Sequence, residues 1–439
     1  MPVSSCEPRS LVDFETALTQ LQSYFGDPVE TLDATLERDP GFVLGHVFRA
    51  SALLMMCERQ YLPEARASID RAEALGHAND RERGLIKAVR EWLDGHWDRA
   101  GHAWDAVLAD YPRDALALQF GHLTDFYLGD AVNLRDRVGR VIGHWDPMLP
   151  GYSYVRGMQA FGLEECNHFD RAEEVGREAL DLERRDPWAI HAVAHVMEMQ
   201  NRHGEGRSFL RDREQDWAPD NGLAFHNWWH LALFHIEDQQ FAEALKLYDN
   251  YVSQDMGETS LQMVDASALL WRLRLMGVEL GDRWQVLADL WLQRTPVENG
   301  FYAFNDLHAL IAAASTGRLA QAREIQRATE AAARDEAGVT GMMARLVGVP
   351  CNAAFLAFAE ERYNDAVVAL APVRSIANRF GGSNAQRDIL NQTLIEAAIR
   401  SGQAGLAANL VNERAEHKPL SRLTARFRRR SVDTGRRAA

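Results

Sequence analysis

A short punctuation mark recurs along this chain and dictates what it can fold into. A Gly or polar residue is followed two positions later by a bulky apolar or aromatic residue, and three positions after that by a small apolar one. Gly95, Trp97 and Ala100 form one instance; Asn167, Phe169 and Ala172, then Gln239, Phe241 and Ala244, then Gly317, Leu319 and Ala322, then Glu361, Tyr363 and Ala366 form others. The series opens with Gln60, Tyr61 and Ala65, and weaker instances end at Leu134, Gly206, Leu287 and Ala407. Successive small-residue positions are then 35, 34, 38, 34, 38, 43, 35, 44 and 41 residues apart. Such spacing centres on a helix-turn-helix repeat of roughly 34 residues. The Gly or polar residue ends a first helix, and the small residue lets the second pack closely on it. Asp39-Pro40 and Asp186-Pro187 sit where second helices should stop, because a residue before Pro disfavours the α region. Alternating β-branched runs are absent, while Ala, Leu, Glu and Arg recur at helical spacing.

The fold expected is all-α: a tetratricopeptide-like solenoid of about ten helical hairpins in a right-handed superhelix. One repeat cannot bury its apolar face alone, so a single continuous array over 1–425 is expected, softest around 294–300 and 374–383. The stretch 426–439, which carries Arg426, Arg428, Arg429, Arg430, Arg436 and Arg437, is expected to fray into a basic tail.

Composition excludes several classes. With 46% hydrophobic and 25% charged residues over 439 positions, the chain has material for a large core. A formal charge of −15 argues against a general nucleic-acid binder. Cys6, Cys57, Cys166 and Cys351 are scattered, with no Cys-x-x-Cys pair, so neither a disulfide framework nor a thiolate zinc site is suggested, and a cytoplasmic setting fits. No signal sequence and no membrane-spanning run is expected. Walker, Rossmann and nucleophile-elbow glycine patterns are absent.

Chemistry concentrates in the centre. His191, His195 and Glu198 fall at spacings of four and three, which is one face of a helix, and His226 and His230 repeat the spacing about thirty residues on. With the small residues as a common origin, Glu164 and Glu165 align with Glu198, Trp229 with His191, and His308 with His230; Tyr154 shares the register of His226. First helices of tetratricopeptide repeats line a concave groove, so these residues should project into it together. A single buried His more often donates to a backbone carbonyl, but a set of imidazoles and carboxylates in one groove is retained mainly where paired, metal-bound or catalytic. Three readings follow. His191, His195 and Glu198 could hold a divalent metal such as zinc, although the zincin His-Glu-x-x-His order is absent. Glu164, Glu165, His195, Glu198 and His230 could act as metal-free acids and bases, with Tyr154, His226, Trp229 and His308 placing the substrate. Trp229, Trp228 and Tyr154 beside carboxylates could instead bind a cationic ligand. A peptide-carboxylate clamp would need Lys, Arg and Asn on this stripe. Gly381, Gly382 and Ser383 suit either an anion at a helix start or an ordinary inter-repeat turn.

The runs Tyr154 to Glu165, Asp186 to Glu198 and His226 to His230, with Gly381 to Asp388 near the C-terminus, resemble the tetratricopeptide-repeat protein 38 family; Asn384 departs from a His found in many members. The resemblance spans most of the chain and implies a helical-repeat protein without fixing a reaction. The function expected is a small-molecule hydrolase or lyase using metal or His/Glu acid-base chemistry. The alternative is a non-catalytic scaffold binding a partner peptide or a cationic ligand in the same groove. A small molecule is expected in preference to a peptide, with no nucleic acid and no membrane, and an oligomer is allowed.

Overall fold

The computed structural model describes residues 1–4, 7–257 and 259–438. Among them every regular element is a helix, and an isolated bridge pairs Phe25 with Asn221. Antiparallel hairpins follow one another. Examples are Asp80–Leu93 with Trp97–Asp110, Tyr152–Glu165 with Phe169–Leu182, Ala303–Ser315 with Leu319–Ala332, and Asn384–Arg400 with Ala404–His417.

The punctuation has the expected physical basis. Gly95, Asn167, Gln239, Gly317 and Glu361 all adopt positive φ, between 61° and 85°. Each turns the chain out of the first helix, and the next residue's N–H reaches back to a carbonyl five positions earlier: His96 to Glu91, His168 to Leu163, Gln240 to His235, Arg318 to Ala313 and Arg362 to Ala357, at 2.8–3.0 Å. This is the left-handed helix stop in which otherwise orphaned carbonyls are satisfied. The small residues Ala65, Ala100, Ala172, Ala244, Ala322, Ala366 and Ala407 are wholly buried on the second helices. At Gly206 a Cβ would come within 2.4 Å of the Phe234 ring, so only hydrogen fits there.

The helices assemble into two compact units. The first comprises Met1–Val193, Gln215–Ala224 and Ala337–Val339; the second comprises Ala194–Glu214, Phe225–Glu336 and Thr340–Ala439. One array over 1–425 was the expectation. The division falls inside the Pro187–Met199 helix, so His191 is described with the first unit and His195 and Glu198 with the second.

Two segments differ from the sequence reading. The basic stretch expected to fray belongs to a helix, Arg422–Ala438, in which Leu423 and Phe427 lie four apart and are fully buried. Those two side chains anchor a helix on which Arg428 and Arg429 are exposed. Val339–Ala359, 21 residues with mean hydropathy 1.5, is long and apolar enough to cross a bilayer, contrary to expectation. In the second unit its Cys351, Ala354 and Phe355 are wholly buried, and Phe355 packs 5.1 Å from Trp271.

The Gly381 to Ser383 loop is an ordinary turn. Gly381 and Gly382 take positive φ, and Ser383 caps the Asn384–Arg400 helix in a reciprocal box with Gln386. Ser383→Ala is therefore expected to lower stability by about 1 kcal/mol in urea denaturation.

Candidate functional site

In the first unit, the Tyr152–Glu165 helix ends with Glu164 and Glu165, both buried. Tyr154 lies in its first turn, and burial pushes its hydroxyl up to about 12. His191 packs 5.1 Å from Trp188 and 5.2 Å from Phe161, an aromatic surround. Asp186 starts the Pro187–Met199 helix by accepting the Trp188 and Ala189 N–H groups, each at 3.0 Å. Burial raises its carboxyl to about 7 in spite of those bonds.

The second unit gathers the rest. His226 and His230, one turn apart on the Ala224–Glu237 helix, meet His195: ring centroids of His195 and His230 are 4.4 Å apart, and those of His226 and His230 are 4.8 Å apart. Trp229 stacks on His226 at 5.3 Å with an interplanar angle of 11°. A carboxylate fixes each of two rings. His226 donates from Nδ1 to Asp265 at 2.6 Å, and His230 donates from Nδ1 to Glu198 at 3.1 Å, since an ionised carboxylate only accepts. Burial pushes the His230 imidazolium well below its usual range, helped by the neighbouring His195 and His226. It is a neutral ring.

Behind the imidazoles lies a charged layer. Lys418 Nζ is 3.5 Å from both Glu198 and Glu237. Arg414 bridges Glu237 at 2.7 Å and Asp388 at 2.5 Å, and Ser421 donates its hydroxyl to Glu237. Burial would raise the carboxyls of Glu237 and Asp388, but Lys418 and Arg414 outweigh it and hold both below the usual range. The buried Arg272 donates to the Ala385 and Gln386 carbonyls and lies over the Trp229 ring at 5.4 Å. Its bonds occupy the first-turn carbonyls of the helix that Ser383 caps.

Of the expected site residues, His195, Glu198, His226, Trp229 and His230 come together in the second unit. His308 follows the blander course: its Nδ1 donates to the Phe304 carbonyl of its own helix at 2.7 Å, and burial pushes its ring down to about 4. Glu164, Glu165, Tyr154 and His191 belong to the first unit. Asp265, Asp388, Arg414 and Lys418 were missed by the sequence reading. Only the Arg414 and Lys418 spacing of four gave a local signal.

His195 and His230 are fully buried, Glu198 is 2% exposed and His226 7%.

No family model matches the chain. Among solved structures, the Cut9–Hcn1 hetero-tetramer of the APC/C is similar over 98% of this chain and 77% of that one, at 10% identity and a TM-score of 0.49. The human IFIT1 dimer with m7Gppp-AAAA covers 98% and 96% at 12% identity and a TM-score of 0.43. Yeast Tom70 covers 97% and 88% at 13% identity and a TM-score of 0.37. The expectation of a small-molecule ligand in preference to a peptide, with nucleic acid excluded, is not borne out by these structures: Cut9 is in a hetero-tetramer with Hcn1, and IFIT1 is with m7Gppp-AAAA. The closed polar cluster gives the physical reason why a small substrate was the wrong preference.

Proposed function

We propose that the chain is a tetratricopeptide-like binding protein that recognises an acidic segment of a partner protein on the exposed face of its C-terminal hairpin. The central motifs support, as part of the same proposal, membership of the tetratricopeptide-repeat protein 38 family. The observation that carries the reading is a groove of about 490 Å³ in the second unit, lined by Pro419, Ala425, Arg428, Arg429, Val432 and Asp433 among others. Arg428 and Arg429 are exposed and enter no ion pair among the described residues. Val432 in the same lining is half exposed. On a chain of net charge −15 this cationic and apolar strip stands out. Such a strip suits carboxylates flanking an apolar anchor, since opposite potentials steer encounter and apolar burial holds the complex. In this reading the buried histidine cluster keeps the inner helices in place, and the hydrolase or lyase alternative lacks an accessible acid-base pair.

The test is fluorescence anisotropy of the full chain with a short fluorescein-labelled Glu/Leu peptide, its Lys/Leu counterpart and a single-stranded RNA. The acidic peptide should bind, more weakly as salt rises. Arg428→Glu with Arg429→Glu should weaken it about a hundredfold through like-charge repulsion. Equal binding of both peptides, or binding of RNA alone, would overturn the proposal.

A further inference from the structure

Three imidazoles packed against one another in a protein interior need an explanation. His195 comes from one helix, and His226 and His230 lie one turn apart on another. Each offers a ring nitrogen within 4.8 Å of the other two. Hydrogen bonding to Asp265 and Glu198 assigns the N–H of His226 and His230 to Nδ1, so the ring lone pair of each is on Nε2. A carboxylate behind an imidazole that orients it and raises its basicity is the arrangement found behind metal-ligating histidines. Trp229, stacked on His226, restrains that ring further.

We propose that His195, His226 and His230 form a binding site for one divalent transition-metal ion, with Asp265 and Glu198 as positioning residues. Zinc is the natural occupant, because three imidazoles supply borderline nitrogen donors for a tetrahedral ion and leave one coordination position over. The sequence suggested His191, His195 and Glu198 as ligands. In the second unit Glu198 is engaged by His230 and Lys418, so it acts through a ligand instead of being one. Four-coordinate zinc sets its nitrogens about 3.4 Å apart, given Zn–N bonds of about 2.0–2.1 Å, so small ring rotations close the cluster. A metal here ties the Pro187–Met199 and Ala224–Glu237 helices together and contributes binding free energy directly to folding.

The experiment uses untagged full-length protein, loaded with zinc or cobalt(II), dialysed, and assayed by mass spectrometry for metal content. About one ion per chain is expected, and cobalt should give the intense visible bands of a tetrahedral nitrogen-ligated ion. Zinc should raise the melting temperature of the wild type. His195→Gln, His226→Gln and His230→Gln should each abolish stoichiometric loading, whereas His308→Gln should not. Asp265→Asn should weaken affinity about 10–100-fold while the site persists. Where a glutamine variant fails to fold, the wild-type cobalt spectrum and stoichiometry decide alone. No stoichiometric metal after loading, a cobalt spectrum without tetrahedral bands, or unchanged loading in folded glutamine variants would overturn the proposal.

Discussion

Replacing Arg414 by methionine is expected to remove about 3–5 kcal/mol of stability at neutral pH, read from urea denaturation followed by circular dichroism. The guanidinium is buried, and it neutralises two carboxylates contributed by different helices, Glu237 of Ala224–Glu237 and Asp388 of Asn384–Arg400. Methionine fills much of the volume but leaves both acids in a low-dielectric setting, and that uncompensated charge dominates the cost. Lys418 remains, yet at 3.5 Å from Glu237 it is a weaker partner than the 2.7 Å bond it would have to replace. Adding Asp388→Asn to the variant should restore part of the loss, because it removes one of the stranded charges.

The pH dependence carries a definite sign. Glu237 and Asp388 titrate below their usual range in the folded chain. Their contribution is therefore complete above the ordinary carboxylate range and fades as pH falls through the depressed folded values. Wild-type stability should drop on acidification, and the gap between wild type and Arg414→Met should narrow, since protonated acids no longer need the guanidinium. A gap that stays constant from neutral pH into strong acid would contradict this assignment.

The repeat was legible because it is written in local chemistry. Asn167, Gln239 and Glu361 end helices in a left-handed turn whose sequence cost is visible within six residues, and Ala172, Ala244 and Ala366 follow at fixed distance. The His226 and His230 pair and the His195 to Glu198 spacing were legible for the same reason, as each is set within one helix. Their supports were not. Asp265, Asp388, Arg414 and Lys418 reach the cluster from helices far along the chain, and no periodicity links an acid on one helix with a base on another. The C-terminal helix was misjudged because its arginine run outweighed the quieter signal of Leu423 and Phe427 four apart. Residue type suggested catalysis at the cluster, whereas burial, which governs access, is a tertiary property that no local spacing displays.

Gly162→Ala should cost about 3 kcal/mol, whereas Gly139→Ala in the neighbouring helix should gain up to about 1 kcal/mol. Both glycines lie inside helices of the first unit, Gly139 on Ala131–Val141 and Gly162 on Tyr152–Glu165. Helix propensity favours alanine equally at the two positions, so their difference isolates packing. A Cβ on Gly139 meets nothing within 4 Å. A Cβ on Gly162 would lie 2.6 Å from the Leu134 carbonyl oxygen, 2.6 Å from Arg135 Cα and 2.8 Å from Arg135 N. All three obstacles are backbone, so no rotamer change relieves them, and the two helices must move apart. That separation strips contacts from a close-packed interior, where gaps smaller than a methyl group already forfeit dispersion energy. It would also shift Glu164 and Glu165, which follow Gly162 within the same turn. Paired urea curves check the contrast: a Gly162→Ala protein as stable as Gly139→Ala would mean that these helices do not approach backbone to backbone.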